Sequence, residues 1–162
     1  MDEIQKINVN TDFIGPLIIV EDVFASRKFY EEIVGQVLKF DFGDCQQFES
    51  GLTLQSKDSV EMLGLKKNEI KQRSNNFTLY FETENFDSFV ENLKRYELEY
   101  VHEVVEFKWG QRSASFYDLD EHIIDVSEKM QSVFNRLFES GLTAEEISKK
   151  TQHPIDYVRL YL

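Results

Sequence analysis

An indole, a guanidinium and a carboxylate occur between residues 109 and 125 and could bind a small molecule. Trp109 and Arg112 lie in one short segment, and Asp125 follows in the next apolar stretch. A guanidinium forms paired hydrogen bonds with a carboxylate or phosphate, and an indole offers a stacking surface. We therefore predict that Arg112 and Trp109 bind a ligand, with Asp125 as counter-group and candidate catalytic base. An Arg112–Asp125 ion pair and a core position for Trp109 are the structural alternatives.

The elements around these residues follow an order that occurs twice. Hydrophobic residues recur with a period of two or of about 3.6, which indicates strands and helices respectively. A strand, a helix and three strands appear over residues 13–56 and again over residues 76–128. Residues 57–75, rich in Lys, Ser and Asn, are predicted to form a mobile linker between the modules, with a lid as the alternative. The pattern predicts an α+β fold of two βαβββ modules.

The motifs in these modules, taken in order, resemble the glyoxalase, bleomycin-resistance and extradiol dioxygenase superfamily, also called vicinal oxygen chelate proteins. The resemblance covers about residues 13–128. It rests on Val20-Glu21-Asp22, Ser26, Phe29-Tyr30, Val34-Gly35, Trp109-Gly110-Gln111-Arg112 and Phe116-Tyr117-Asp118-Leu119-Asp120 through Asp125. It implies that the two modules form a cupped mixed sheet around one cavity, with the helices outside.

Strand alternation predicts which side chains line that cavity, because neighbouring residues of a strand point to opposite faces. Asn76 and Tyr80 lie opposite the apolar residues of their strand, and Gln55 is placed inward in the same way. The complete set of predicted ligand contacts is Arg112, Trp109, Tyr80, Asn76, Gln55 and Phe116.

The register of the last two strands depends on the turn between them. If Asp118 to Glu121 form a hairpin turn, Ala114 lies opposite Asp125. Arg112, Phe116 and Asp125 then share one face of the sheet. This register is the basis for the prediction that Arg112 and Asp125 act together.

Metal-dependent members of the superfamily hold a divalent ion with His or Glu at four strand positions. The resemblance places these positions at Gly15, Gln55, Asn76 and Asp125, with Leu54 in place of Gln55 if the register of that strand differs by one residue. Only Asp125 is a strong ligand, because glycine has no donor and amide oxygens bind transition metals weakly. No cluster of histidine and cysteine has metal-ligand spacing. The sequence predicts a degraded site with no firm cofactor, and a divalent metal remains the alternative.

Composition favours a cytoplasmic globular protein. The 162 residues are 41% hydrophobic and carry a net charge of −12, which opposes binding to a phosphate backbone. No stretch approaches the ~20 apolar residues of a membrane helix, and residues 1–6 lack a signal-peptide pattern. The single cysteine, Cys45, excludes an intrachain disulfide. We predict no nucleic-acid or membrane partner, and either a monomer or a homodimer.

Residues 129–162 are predicted to form a helical extension that follows the 1–128 domain. Thr143 and Glu146 match a capping box, and Pro154 precedes the last helix. The segment resembles a short helix-turn-helix, but Arg159 is the only cation in its final helix. DNA binding is therefore a remote alternative, and packing on the domain or on a partner subunit is favoured.

These patterns together predict a protein that binds a small molecule, comparable to the drug-sequestering members of the superfamily. An anion is a candidate ligand because Arg112 is predicted to lie at the cavity. The alternative is a lactoylglutathione-lyase-like enzyme, or another metal-dependent lyase, isomerase or dioxygenase, with Asp125 as the base. The fold alone does not choose between them.

Overall fold

The computed structural model describes residues 11–162, and the chain divides into two compact units with the boundary after Lys67. The first unit contains one βαβββ module, and the second contains another module followed by the C-terminal helices. The predicted α+β fold with two such modules is confirmed. Residues 1–10, the start of the predicted 1–128 domain, lie outside the described residues.

In the first module a helix packs on a four-stranded sheet. The elements are β1 (Leu17–Val20), α1 (Val23–Glu32), β2 (Leu38–Asp41), β3 (Cys45–Phe48) and β4 (Thr53–Ser56). The strand order is β1-β4-β3-β2, with β1 and β4 parallel. Asp22 caps α1, as predicted, because its carboxylate accepts hydrogen bonds from the backbone N–H groups of Phe24 and Ala25.

The segment between the modules has more structure than the predicted solvated linker. It contains two 3₁₀ helices, Lys57–Leu63 and Lys67–Glu69. Val60 is fully buried, because the first of these helices packs against strands β1 and β4. Further along, the Arg73 guanidinium donates to Glu99 and lies 4.5 Å from the centre of the Tyr117 ring. Parts of the segment are thus held by packing and ion pairs.

The second module repeats the topology of the first. Its elements are β5 (Thr78–Thr83), α2 (Phe86–Leu93), β6 (Tyr100–Glu106), β7 (Arg112–Tyr117) and β8 (Ile123–Glu128). The strand order is β5-β8-β7-β6, with β5 and β8 parallel and the other pairs antiparallel. Leu79, Ile124 and Phe116 are buried on the face that also carries Arg112.

The turn between β7 and β8 is one residue longer than the predicted one. Tyr117 pairs with Ile123, which leaves five residues, 118–122, in the turn. The Asp118 carboxylate accepts hydrogen bonds from the backbone of Asp120 and His122, and Glu121 adopts a left-handed conformation at φ 63°. The predicted register is therefore wrong by one residue, and such a shift moves a side chain to the opposite face of the sheet.

Three helices follow the second module, which confirms the predicted helical extension. They are α3 (Met130–Glu139), α4 (Ala144–Thr151) and α5 (Ile155–Arg159). The capping box at Thr143 and Glu146 is present. A separate apolar core joins the helices and consists of Val133, Phe134, Leu137, Ile147 and Val158. Within residues 11–162, every helix is too short or too polar to cross a lipid bilayer.

Candidate functional site

A group of polar side chains shares one face of the second sheet, and we call this group the Asp125 face. Its members are Tyr80, His102, Ser113, Ser115, Asp125 and Ser127. Asp125 is paired with Tyr80 on one side and with Ser115 on the other, and His102 is paired with Ser115. Residues that are paired, or two apart on a strand, point to the same side of a sheet. The register thus gathers side chains from all four strands around one carboxylate.

Two hydroxyl groups hold one carboxylate oxygen of Asp125, and the other oxygen accepts no hydrogen bond from them. Its Oδ1 atom accepts hydrogen bonds from Ser113 Oγ at 2.8 Å and from Ser127 Oγ at 2.9 Å. Its Oδ2 atom lies 3.8 Å from Nε2 of His102, which exceeds a hydrogen-bond distance. The Asp125 side chain is 18% exposed. The carboxylate is thus fixed in orientation, and Oδ2 is available to a donor on a ligand.

His102 places an imidazole ring beside this carboxylate. Its Nδ1 atom lies 2.8 Å from the backbone oxygen of Glu103, while Nε2 faces Asp125. Because both ring nitrogens face oxygen atoms, only the imidazolium form presents a proton to each of them. At 3.8 Å from Asp125 Oδ2, His102 Nε2 makes no hydrogen bond to the carboxylate, but the two groups lie on the same face and close enough for one ligand to contact both.

Sequence reasoning missed His102 as a member of this site. Strand β6 is irregular on both sides of it, with register shifts between Tyr100 and His102 and between His102 and Val105. Regular alternation therefore does not place the side chain. The alternating residues Ser113 and Ser115 indicate the polar face of β7, and this pattern could have located the site on that face.

An aromatic pair borders the Asp125 face. The rings of Phe107 and Trp109 are stacked, with centroids 4.5 Å apart and planes 17° apart. Phe107 in turn contacts the His102 ring edge-on, at 6.3 Å between centroids. Trp109 is 40% exposed, so the alternative that it is a core residue is wrong. The pair offers an accessible ring surface next to the polar groups.

Gln111 connects this aromatic pair to Tyr80. Its side-chain amide donates to the Tyr80 hydroxyl at 3.1 Å and to the Glu128 backbone oxygen at 2.9 Å, while its Oε1 accepts from Trp109 Nε1 at 3.0 Å. The Tyr80 hydroxyl donates to Glu82 at 2.9 Å. Burial raises the pKa of Tyr80, and the hydrogen bond to Glu82 raises it further. Tyr80 therefore remains a neutral phenol at physiological pH.

Arg112 and Phe116 lie on the opposite face, so their predicted positions beside Asp125 are wrong. Phe116 is fully buried. Arg112 pairs with Glu128 at 3.2 Å and with Asp87 at 2.7 Å, which also rules out the predicted alternative of an Arg112–Asp125 ion pair. The one-residue difference in the turn is the physical reason for both errors.

The Arg112 cluster borders a separate cavity of about 400 Å³ beside α2 and α3. Its central carboxylate, Glu128, is only 3% exposed and also pairs with Arg136 at 2.8 Å. Burial alone would raise the pKa of Glu128, but hydrogen bonds from Arg136 and Arg112 outweigh it and lower the pKa. The Arg112 guanidinium, predicted to bind a ligand, thus already forms ion pairs with the carboxylates of Asp87 and Glu128.

Three of the four implied metal positions carry groups that fit a divalent ion poorly, and Asp125 is the exception. A Cβ atom at Gly15 would lie 2.3 Å from the Gly51 carbonyl oxygen, so no side chain can stand there without a backbone shift. The Gln55 amide donates to Asp44 O and Ser59 Oγ, and the Asn76 oxygen accepts from Ser74. Across residues 11–162 there is no group of three or more His, Cys, Asp or Glu side chains arranged to bind a metal.

Comparison with known proteins supports the fold and one family. The model of the glyoxalase-like domain family matches residues 13–131. A protein of unknown function from Agrobacterium tumefaciens is 28% identical over 75% of this chain and 96% of that chain, with a TM-score of 0.66. A comparison with curated proteins gives no match.

Two further solved structures share the fold at lower identity. A glyoxalase/bleomycin resistance protein/dioxygenase family enzyme from Burkholderia phytofirmans is 15% identical over 70% of this chain and 94% of that chain, with a TM-score of 0.61. A lactoylglutathione lyase from Agrobacterium tumefaciens is 16% identical over 75% of this chain and 96% of that chain, with a TM-score of 0.57. The family match ends at the first residues of α3, so most of the C-terminal extension lies beyond it.

Proposed function

We propose, from the premise that this chain belongs to the glyoxalase-like domain family, that its Asp125 face binds a small molecule without the metal ion of the metal-dependent members. The observation that carries the proposal is the Asp125 carboxylate, which two serine hydroxyls fix through Oδ1 while Oδ2 stays available. Small-molecule sites commonly combine a few fixed polar groups with aromatic surface, and the Phe107–Trp109 pair supplies the latter.

The groups on this face favour a ligand that carries a hydrogen-bond donor on an aromatic ring. The charge of the face favours a cationic ligand over an anionic one. Glu82 lies two residues from Tyr80 on the same side of β5, which adds a second carboxylate near Asp125. The strand residues on this face include no lysine or arginine. Arg112, the basis of the predicted anionic ligand, lies on the opposite face. A cationic donor would pair with Asp125 Oδ2 while its ring stacks on Trp109.

The protein contains its own reporter for this proposal, because Trp109 is the only tryptophan in the chain. Benzylammonium, benzyl alcohol and benzoate have the same ring with positive, neutral and negative substituents. In titrations at physiological salt, we expect benzylammonium to change the Trp109 fluorescence saturably and at lower concentration than benzyl alcohol. Benzoate should give no saturable change. Tighter binding of benzoate than of benzylammonium, or no saturable response to any of the three, contradicts the proposal.

A proton-transfer enzyme is the second candidate, and the Asp125–His102 arrangement is the observation that favours it. Asp125 would accept a proton from a carbon next to a carbonyl group, and protonated His102 would donate a proton to the resulting enolate oxygen. S-lactoylglutathione is a suitable probe, because a lyase of that name shares the fold. In D₂O, exchange of the lactoyl C–H proton, read by NMR, would support catalysis. Retention of that proton at high protein concentration would count against it.

A further inference from the structure

The turn that carries Trp109 and Gln111 is held by the C-terminal helices. The turn joins β6 to β7 and is closed by backbone hydrogen bonds from Phe107 N to Gln111 O and from Gly110 N to Phe107 O, at 2.9 and 2.8 Å. Gly110 lies at its tip with φ +89°. Through Gln111 and Trp109 the turn faces the proposed ligand site, so whatever fixes the turn also fixes two site residues.

Arg136 of α3 is the main polar contact between the helices and the turn. Its Nη2 atom donates to the Gly110 carbonyl oxygen at 2.6 Å and to Glu128 Oε2 at 2.8 Å. Its Nε atom donates to Glu128 Oε1 at 3.1 Å. Glu128 is almost fully buried, so these charge-assisted bonds form where water does not compete effectively. One guanidinium therefore ties α3 to both the turn and the end of β8.

Apolar contacts reinforce this attachment at Gly110. A Cβ atom added there would lie 3.0 Å from Lys150 Cε, 3.3 Å from Leu137 Cδ1 and 3.6 Å from Val133 Cγ1. The turn thus lies directly against α3 and α4, and a methyl group at Gly110 would require the Lys150 and Leu137 side chains to move by a few tenths of an ångström. A displacement of either helix would change the space available to the turn.

The path from the helices to the site is short and continuous. Gln111 donates to the backbone oxygen of Glu128, the residue whose side chain Arg136 holds. The same amide group contacts the Tyr80 hydroxyl, and its oxygen receives the Trp109 N–H. Arg136, Glu128 and Gln111 therefore link α3 to both aromatic side chains through direct contacts.

We infer that the C-terminal helices position Trp109 and Gln111 for ligand binding, with Arg136 as the positioning residue. Most of these helices lie beyond the family match, so this chain adds to the family module an element that holds one edge of the site. The effect of these helices on ligand binding rests on the proposed function, whereas their effect on the position of Trp109 does not. Any partner or modification that moves α3 would then alter the site through the same contacts.

The test compares Arg136→Ala and Arg136→Lys with Arg159→Ala as the matched control. Arg159 belongs to the same extension, but it pairs with Glu145 at the surface, where both side chains are more than half exposed. The first readout is the emission maximum and acrylamide quenching of Trp109 in the free protein. The second is the dissociation constant for benzylammonium. Circular dichroism establishes that each variant is folded.

We expect Arg136→Ala to increase quenching of Trp109 and to weaken benzylammonium binding by about tenfold, as the loss of a charge-assisted hydrogen bond allows. Arg136→Lys should lie between wild type and alanine, because lysine keeps the charge but not the forked geometry. Arg159→Ala should match wild type in both readouts. If folded Arg136→Ala leaves the quenching of Trp109 unchanged, the inference is wrong.

The two readouts separate this inference from the proposed function. Absence of benzylammonium binding in wild type, together with altered Trp109 quenching in Arg136→Ala, would overturn the proposed function and support the positioning role. If Arg136→Ala does not fold, Gly110→Ala tests the same contact from the other side. Its added methyl should raise the quenching of Trp109, and an unchanged value in that folded variant contradicts the inference.

Discussion

Asp125 and Ser115 are direct partners across β7 and β8, and this pairing determines which side of the sheet carries the chemistry. It places the carboxylate among hydroxyl groups and next to His102, while Arg112 points to the other side and pairs with Glu128. The two charged residues that stand close together in the sequence therefore belong to different environments. Asp125 faces the proposed ligand, and Arg112 joins the sheet to α2 through Asp87.

Replacement of Asp125 by asparagine should remove the preference for a cation. Asparagine keeps the shape and an oxygen that can accept from Ser113 and Ser127, but it loses the charge at Oδ2. We expect benzylammonium to bind about tenfold more weakly and benzyl alcohol to be nearly unaffected, because only the charged probe loses an ion pair. Trp109 fluorescence titration measures both.

The matched control for this variant is Asp156→Asn. Asp156 is exposed on α5, and its replacement changes the net charge by the same amount. It should leave both dissociation constants unchanged. Equal weakening in the two variants would mean that general electrostatic attraction to an acidic protein, rather than the Asp125 face, explains the preference for the cation.

Acid should loosen the contact between the C-terminal helices and the sheet. The folded-state pKa of Glu128 lies below its ordinary value of 4.5, so the group stabilises the folded state fully above that value. The stabilisation is lost as the pH falls through the lowered pKa, because the folded state must then bind a proton. We expect Trp109 quenching to rise in that acidic range in the wild type.

Glu128→Gln is the variant that isolates this effect. Glutamine cannot ionise, so the variant should be less stable than wild type at neutral pH and should approach it in stability as the pH falls below about 4. Urea unfolding at a series of pH values measures the difference. A stability difference that does not change with pH would show that the ionisation of Glu128 is not responsible.

The fold could be predicted from the sequence because each module has strong local signals. Asp22 at the start of α1 and the Thr143–Glu146 capping box are short-range patterns that the surroundings do not override. The site could be predicted only in part. Tyr80 pairs with Asp125 and is linked to Trp109 through Gln111, but the extra residue in the turn after Tyr117 reverses the faces of β7. The position of His102 on this face could not be predicted, because the strand pairing around it is irregular.

Gln46 should be a site where an apolar residue increases stability. It is fully buried in β3, and neither Nε2 nor Oε1 has a hydrogen-bond partner among the described residues. A buried amide without partners costs about 1–3 kcal/mol, so Gln46→Met, of similar length, should raise the free energy of unfolding by roughly 1–2 kcal/mol. Urea denaturation gives this value directly.

The neighbouring glutamine provides the comparison. Gln47 lies on the same strand, but its amide donates to Thr53 Oγ1 at 3.3 Å. Gln47→Met loses that bond and should be neutral or destabilising. If both substitutions changed stability equally, the effect at Gln46 would come from general hydrophobicity and not from its missing partners.

Gly15 should resist the substitution that would restore a side chain at the first metal position. Its Cβ would lie 2.3 Å from the Gly51 oxygen, and its φ is +148°. Gly15→Ala should therefore destabilise the protein by about 2–3 kcal/mol, through both overpacking and backbone strain. Gly43→Ala separates these causes, since Gly43 also has a positive φ of +78° but nothing within 4 Å of its Cβ. It should cost only about 1 kcal/mol. Similar losses in thermal or urea unfolding for the two variants would mean that strain alone is responsible, and that the contact with Gly51 does not close this position to a ligand residue.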